Sequence, residues 1–338
     1  MNRLLFILLI LLCSCANEVD ILNPAPTVPV VYGLLSPEDS VHRVLVTRLF
    51  VADGNIDSIA RLPDSLYFKN AEVFLELRTP KGYVIDRNKM EPIQIEDKED
   101  GLFLTRPNMV FECRPFPSLA ATYSSEIDYT ITVSIPDLKI SALARSRIPS
   151  IPALGLPVSM NGRNKIDLYE YQKNKVVIAH KSEEYTEFQL IFRYSEYRWD
   201  EWVDNEFVYQ IKLAPREAPN THGLPGGGGG EPPHIELDAP FLYNMVANRI
   251  KEDPQVSVRK FYNIELRIIN ADHDFWDYTW SFEYLTDFNE VNYSNVTNGY
   301  GLLSTYRIKT YPAYGLSWQS LDSLCRGTVT RHLNFKIW

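Results

Sequence analysis

The chain has 338 residues, of which 45% are hydrophobic and 23% are charged. This length fits two domains of about 100–200 residues each, and the composition is that of a globular protein rather than a disordered one. The formal net charge of −9, from 34 basic and 43 acidic residues, argues against nucleic-acid binding and against docking on anionic lipid through a basic face.

The N-terminus predicts a secretory signal peptide over residues 1–14. Arg3 is followed by an apolar run over residues 4–12. As a helix this run spans only about 13 Å, which is too short for a bilayer core of roughly 30 Å. The segment Leu12-Cys13-Ser14-Cys15 resembles a bacterial lipobox, which implies lipidation of Cys15 and attachment to a membrane through acyl chains. The alternative is an ordinary secreted protein with two incidental cysteines.

The first half of the mature chain predicts a tether followed by a β-rich domain. Residues 15–29 are rich in proline, which is typical of an extended spacer. Strands are predicted at Val30–Leu35, His42–Phe50, Ala71–Leu77 and Tyr129–Ile135. The last two alternate apolar and polar residues, as antiparallel strands with one face on a core do. We expect an immunoglobulin- or transthyretin-like β-sandwich over residues 30–148 and a Pro-rich linker over 149–158.

The second half, residues 159–338, predicts another β-rich domain with one or two packed helices. Strands are predicted over 188–194, 207–213 and 261–269. One helix is predicted near 240–252, because Pro240 suits the first helical position and Asp253-Pro254 can end the helix. A second helix is predicted near 272–288. The whole chain is therefore expected to be mainly β, with two antiparallel β-sandwich-like domains.

Aromatic residues concentrate in this second half. The predicted helix near 272–288 carries two aromatic stripes, which favours burial against a sheet; an exposed stripe that stacks on sugars is the alternative. Trp199 and Trp202 flank the turn of a predicted hairpin. We regard Trp199, Trp202 and Trp276 as tentative ligand contacts, and their convergence in one cleft would favour a binding role.

Two cysteines remain once the lipobox is set aside. Cys113 and Cys325 lie in different halves of the chain. A compartment outside the inner membrane permits a disulfide between them, but two isolated cysteines so far apart are weak evidence for one. Neither has the CxxC or Cys/His spacing of a zinc site.

The sequence shows no recognised catalytic, metal-binding or phosphate-binding motif. No HExxH or Gly-x-Ser-x-Gly pattern occurs, and the glycine run at 226–230 lacks the Gly-Lys-Ser/Thr ending of a phosphate loop. Asp272-His273-Asp274 could be part of a metal site, although a helix start in water is the simpler interpretation. The sequence therefore predicts no catalytic residue, no metal site and no cofactor.

Several short motifs occur in a particular order along the chain. The lipobox precedes Val-Val-x-Gly at 30–33, Val-x-Val-Thr-Arg at 44–48 and Ala-x-Val at 71–73. The predicted aromatic helix precedes Asn-Val-x-Asn-Gly-x-Gly at 295–301, in which Asn298-Gly299 is typical of a turn. This order resembles the DUF4249 family of uncharacterised lipoproteins from Bacteroidetes. The resemblance implies an outer-membrane lipoprotein of the kind often encoded near TonB-dependent receptors, with an accessory role in nutrient capture.

Three hypotheses follow from the sequence. The first is a non-enzymatic, lipid-anchored binding or accessory protein that assists a TonB-dependent receptor, on either face of the outer membrane. The second is a structural or adhesive β-sandwich module without a small ligand. The third is a hydrolase of envelope polymers or glycans, whose glycosidase form requires two carboxylates about 5–10 Å apart in a cleft.

Overall fold

The computed structural model describes residues 27–49, 62–96, 107–116, 127–152, 154–155, 165–169, 176–179, 184–215, 234–284 and 293–338. The predicted signal peptide, Cys15, most of the tether and the glycine run lie outside these ranges. Within these ranges, no helix has both the length and the apolar character needed to cross a membrane.

The described residues form sixteen strands and four α-helices. The strands in chain order are Val28–Leu35 (β1), His42–Leu49 (β2), Glu72–Arg78 (β3), Val84–Ile95 (β4), Asn108–Cys113 (β5), Asp128–Ile135 (β6), Ile140–Arg147 (β7), Leu154–Gly155 (β8), Lys165–Ile166 (β9), Val176–Ala179 (β10), Tyr185–Arg198 (β11), Glu201–Leu213 (β12), His234–Leu237 (β13), Val258–Ala271 (β14), Val296–Thr297 (β15) and Tyr300–Leu316 (β16). The helices are Pro63–Leu66 (α1), Ala239–Arg249 (α2), His273–Tyr284 (α3) and Trp318–Arg326 (α4).

The prediction of a mainly β chain is confirmed. One hydrogen-bonded sheet runs in the order β12-β11-β14-β16-β1-β2-β5-β4-β3-β6-β7-β15, and β9 also pairs with β16. Its strands are not all antiparallel, because β1 and β9 each pair with β16 in parallel. A parallel pair needs a long crossover connection, and here nearly the whole chain lies between the two strands β1 and β16.

Two hydrophobic clusters lie along this sheet. The first contains Val73, Leu75 and Leu77 of β3 together with residues of β1, β2, β6 and β7. The second contains residues of β11, β14 and α2. Val296 and Leu303 belong to the first cluster although they come late in the sequence, whereas Leu316 belongs to the second. Strand β16 therefore connects the two cores, and no single cut in the chain separates them.

The helix near 240–252 forms as predicted, with slightly different ends. Asp238 caps α2 by accepting a hydrogen bond from the Phe241 N–H at 2.9 Å, and Pro240 occupies its first turn. Its predicted apolar face is buried in the second cluster; these residues are Leu242, Met245, Val246 and Ile250. Helix α4 was not predicted, because its apolar residues are interspersed with serines that also suit a loop.

The disulfide that the compartment would permit between Cys113 and Cys325 does not form, because both cysteines are free. Cys113 lies in the first hydrophobic cluster, and Cys325 packs against the second. A disulfide needs a Cα–Cα distance of about 4.4–6.8 Å, which two thiols in separate cores cannot provide. Burial raises the pKa of each thiol to about 11, so both are protonated at neutral pH and are poor nucleophiles.

Candidate functional site

The hairpin of β11 and β12 ends in a two-residue turn, Trp199-Asp200. Arg198 pairs with Glu201 directly across this turn. Both turn residues have positive φ, 49° for Trp199 and 62° for Asp200. This is the type I′ geometry that suits the right-handed twist of a hairpin, and Asn-Gly is its favoured sequence.

Trp199 is an unusual residue for this position. A bulky side chain at positive φ costs about 1–2 kcal/mol, which asparagine or glycine largely avoids. The indole is 71% exposed, and the Arg198 guanidinium lies 5.8 Å from its ring centroid. The folded chain thus holds an exposed tryptophan in a strained backbone conformation, and such strain is concentrated at functional sites.

A β-bulge brings a tyrosine to the same end of the sheet. The alternating pattern of residues 261–269 predicts Tyr262 on the same face as Ile264, but the register between β11 and β14 shifts at Arg193/Tyr194. The bulge turns Tyr262 to the opposite face, where it is 43% exposed and accepts a 3.0 Å hydrogen bond from the Ser195 hydroxyl. Bulges commonly re-aim side chains next to binding sites.

The C-terminal segment contributes another ring. Arg259 is buried and forms an ion pair with Glu196 at 2.9 Å. Its guanidinium also donates to the Leu333 carbonyl at 2.7 Å, and its backbone bonds to Asn334 and Lys336. These contacts fix the segment against β14, so that Trp338, which is 71% exposed, lies beside the hairpin.

These elements together form an exposed aromatic surface that we call the tip patch; its members are Tyr197, Trp199, Trp202, Lys260, Tyr262 and Trp338. The Trp202 ring lies 5.2 Å from Tyr197 and 5.8 Å, edge to face, from Trp338. The Lys260 ammonium lies 5.4 Å from the Tyr262 ring centroid and 5.7 Å from that of Trp338. Both distances are within cation–π range.

Trp276 does not join the tip patch. It stacks on Tyr185 at 5.8 Å and tilts against Trp280 at 5.3 Å. Tyr185 begins β11, whereas Arg198 ends it, so Trp276 and the tip patch lie roughly 40 Å apart along the strand. Of the three predicted ligand contacts, the structure brings Trp199 and Trp202 to one end of the sheet and leaves Trp276 at the other.

The start of α3 is buried rather than a helix start in water. Asp272 caps the helix by accepting from the Phe275 N–H at 3.2 Å, and it accepts from the Ser146 and Ser304 hydroxyls at 2.5 Å each. Burial, with a smaller contribution from the nearby Asp274 carboxylate, raises the pKa of Asp272 to about 7, although the hydrogen bonds that Asp272 accepts act to lower it. Asp272 thus joins β7, β16 and α3 where the two cores meet.

The Asn-Val-x-Asn-Gly-x-Gly motif has a structural explanation at the same place. The Asn295 amide accepts from the Leu303 N–H at 2.9 Å and donates to the Leu303 carbonyl at 2.7 Å. Asn298 has a φ of 56°, and Gly301 has a φ of 117°. A Cβ at Gly301 would lie 2.0 Å from the Val31 carbonyl oxygen, so only glycine fits where β16 meets β1.

We call this buried polar group the seam network; its members are Ser146, Asp272, Asp274, Asn295, Ser304 and Thr305. Its members hydrogen-bond chiefly to one another and to the backbone, for example the Asn295 amide to Asp274 at 3.0 Å and Ser146 to Thr305 at 2.8 Å. In the described ranges, no group of three His, Cys, Asp or Glu side chains could hold a metal ion. The hydrogen bonds of the network join β7, β16 and α3.

Comparisons with known proteins add little to this geometry. No protein-family model matches the chain, and no curated protein matches it. Among solved structures, the trypsin-activated α2-macroglobulin of Escherichia coli is similar to 72% of this chain at 12% identity, with a TM-score of 0.20. The chain spans about 14% of the length of that protein. At this TM-score the likeness carries no argument about fold or function.

Proposed function

We propose that this protein is a lipid-anchored, non-enzymatic binding component of the outer membrane that assists a TonB-dependent nutrient uptake system. In this proposal, acyl chains on Cys15 hold the chain at the membrane, and the tip patch contacts the partner. The lipobox and the order of the sequence motifs support the location. The tip patch supports a binding role.

The exposed tryptophans of the tip patch are the observation that carries the binding role. Trp199 and Trp338 are each 71% exposed and Trp202 is 42% exposed. Tryptophan, tyrosine and arginine side chains dominate the energetics of protein interfaces, and the large rigid rings bury much area at little entropic cost. A cluster of such rings on a protein surface is typical of an interaction site.

The positions of the titratable groups also favour binding over catalysis. Asp272, Cys113 and Cys325, whose pKa values are strongly raised, lie in the seam network or pack in one of the two cores. Catalytic groups with shifted pKa values are expected in a cleft that a substrate can reach.

Site-specific photo-cross-linking in native cells tests the binding role. A photoreactive amino acid at Trp202 is expected to capture a TonB-dependent outer-membrane receptor, identified by mass spectrometry. The matched control carries the same group at Tyr83, which is 71% exposed in the turn between β3 and β4. Equal yields from both positions, or the absence of a receptor among the products from Trp202, would refute the proposal.

Lipid labelling tests the anchor separately. Cys15→Ser is expected to abolish incorporation of labelled fatty acid and to leave the signal peptide uncleaved, because the cysteine is the acceptor of the lipid. Cys325→Ser, which alters a free cysteine of the second core, should label like the natural chain. Normal labelling of Cys15→Ser would rule out this anchor.

A further inference from the structure

Strand β12 forms one edge of the sheet. It pairs with β11 over its full 13 residues without a register shift, and among the described residues no strand pairs with its other side. Edge strands are usually short, bulged or interrupted by proline, because a long regular edge pairs with other chains. Strand β12 has none of these features between Glu201 and Leu213.

The hairpin geometry determines which residues present backbone groups at this edge. In a two-residue hairpin the closing pair, here Arg198 and Glu201, exchanges both hydrogen bonds, and bonded pairs then recur at every second residue. The odd-numbered residues of β12 therefore bond to β11. The backbone N–H and C=O groups of the even-numbered residues point outward; these are Trp202, Asp204, Glu206, Val208, Gln210 and Lys212.

The outward residues of two copies of β12 are complementary when the strands pair antiparallel about a two-fold axis at Val208. This axis places Asp204 of one copy opposite Lys212 of the other, and it places Glu206 opposite Gln210. The two Val208 side chains, 42% exposed in the single chain, then meet each other. Opposite charges and β-branched side chains directly across a strand pair are favourable.

The other face of the strand is complementary in the same register. Phe207 of one copy lies opposite Tyr209 of the other, and both rings already pack against the second core. Cross-strand aromatic pairs are among the most favourable in antiparallel sheets. Moving the axis to Glu206 would instead bring two glutamates together. An axis at Val208 therefore satisfies the charges, the aromatic pairs and the outward-pointing backbone groups together.

We infer that β12 pairs antiparallel with β12 of a second copy, about a two-fold axis at Val208, so that one continuous sheet runs through a homodimer. In this arrangement Glu201 of one copy lies level with Pro215 of the other, so the turn at Trp199 projects past the paired region. The two turns at Trp199 lie at opposite ends of the dimer interface, and Trp202 lies within the paired region, opposite Ala214 of the other copy. The proposal does not depend on what the tip patch binds.

The mass of the full-length lipidated protein in detergent, measured by light scattering over a dilution series, tests this inference. The natural chain is expected to be a dimer. Val208→Pro removes the outward N–H at the axis in both copies, and it should weaken the dimer about 30-fold. The fold should persist, because proline is tolerated at a sheet edge where its nitrogen faces outward. Val208→Thr keeps the N–H and nearly the same shape, and it should weaken the dimer much less.

Cysteine cross-linking tests the register in a background of Cys113→Ala and Cys325→Ala. Directly opposed bonded residues have Cα atoms about 5.5 Å apart, which a disulfide can span. Val208→Cys is therefore expected to form a covalent dimer under mild oxidation. Gln210→Cys should not, because the two copies of this residue lie about 13 Å apart along the strands. The pair Glu206→Cys and Gln210→Cys in one chain should cross-link again.

A charge exchange gives an independent check. Asp204→Lys alone places two lysines opposite each other and should weaken the dimer, whereas Asp204→Lys with Lys212→Asp should restore it. A monomeric natural chain at micromolar concentration, or a dimer that Val208→Pro leaves intact, would overturn the inference. Cross-linking of Gln210→Cys as efficient as that of Val208→Cys would also overturn it.

Discussion

The two ends of strand β11 carry aromatic residues with different packing partners. At the Tyr185 end, Phe275 and Trp276 pack on Tyr185, and Asp272 of the seam network lies just before them. At the Arg198 end, the rings of the tip patch face solvent and rest on a C-terminal segment that Arg259 fixes in place. A tryptophan by itself therefore does not mark a binding surface. Its exposed fraction and the residues on which its ring packs indicate whether it contributes to stability or is available for binding.

This contrast predicts how substitutions will act. Substitutions in the seam network should lower the free energy of unfolding. They should affect partner binding only as far as they reduce the fraction of folded protein. Changes in the tip patch should alter partner binding and leave stability nearly unchanged or improved. The following predictions test this separation, beginning with the largest expected effect.

Gly301→Ala is expected to destabilise the protein by at least about 4 kcal/mol, or to prevent folding, because its Cβ would overlap the Val31 carbonyl oxygen at 2.0 Å. Urea denaturation followed by circular dichroism measures this change. The control is Gly82→Ala, which has a φ of +88° and no atom within 4 Å of the new Cβ. It should cost only about 1–2 kcal/mol. Equal losses in the two variants would contradict the close approach of β16 to β1.

Asn295→Ala is expected to cost about 2–4 kcal/mol, because it leaves the backbone N–H and C=O of Leu303 without their amide partner. The same urea experiment measures it. Asn88→Ala removes one exposed hydrogen bond, from the amide to the Arg114 carbonyl at 3.2 Å, and should cost less than about 1 kcal/mol. If Asn295→Ala behaves like Asn88→Ala, the seam network does not join the two cores.

Asp272→Asn is expected to change the pH dependence of stability. The pKa of Asp272 is about 7 in the folded protein against 3.8 for the free group, so the folded state binds more protons between these values. Its contribution to stability therefore falls as the pH rises from about 4 to 7 and stays low above pH 7. Between pH 5 and pH 8 the natural chain should lose up to about 2–3 kcal/mol through this group.

Unfolding free energies of both chains at pH 5 and pH 8 give this comparison. The asparagine variant should show a smaller loss between the two values, since its side chain does not titrate. Asp64→Asn serves as the control, because the Asp64 side chain is 80% exposed, and its pH profile should match that of the natural chain. An unchanged profile for Asp272→Asn would contradict the burial of this carboxyl.

Replacing the turn Trp199-Asp200 by Asn-Gly is expected to stabilise the protein by about 1–2 kcal/mol, because both positions have positive φ and the new residues adopt it with little strain. The same variant should lose the cross-link from Trp202 to its partner. Thermal unfolding and the cross-linking yield are the two measurements. A variant that is more stable and still binds would show that Trp199 has no part in the interaction.

The alternation of apolar and polar residues, together with residues that begin or end helices, allowed much of the secondary structure to be predicted. The period of two in residues 188–194 and 207–213 recurs in strands β11 and β12. Pro240 and Asp253-Pro254 bracketed α2, although the helix ends at Arg249, before the expected stop. These features depend on neighbours in the chain, so the sequence alone was enough to predict them.

The members of the tip patch could be predicted only in part. Trp199 and Trp202 are close in sequence and are joined by a turn, so they were identified together. Tyr262 was assigned to the wrong face, because a single inserted residue in β14 reverses the alternation. Trp338 gave no local signal, since its place depends on contacts of Arg259 with residues far along the chain.

The sequence by itself determined that the chain is mainly β and where most strands and helix α2 lie. Hydrophobic periodicity and turn residues act over a few positions, so they are visible without a structure. Only the tertiary structure decided that β16 pairs in parallel with β1, that Asp272 is buried, that Cys113 and Cys325 are in different cores, and that Trp276 stands apart from Trp199. Each of these depends on which distant strands fit together in one core, and that choice is made by complementary packing and satisfied hydrogen bonds over the whole sheet.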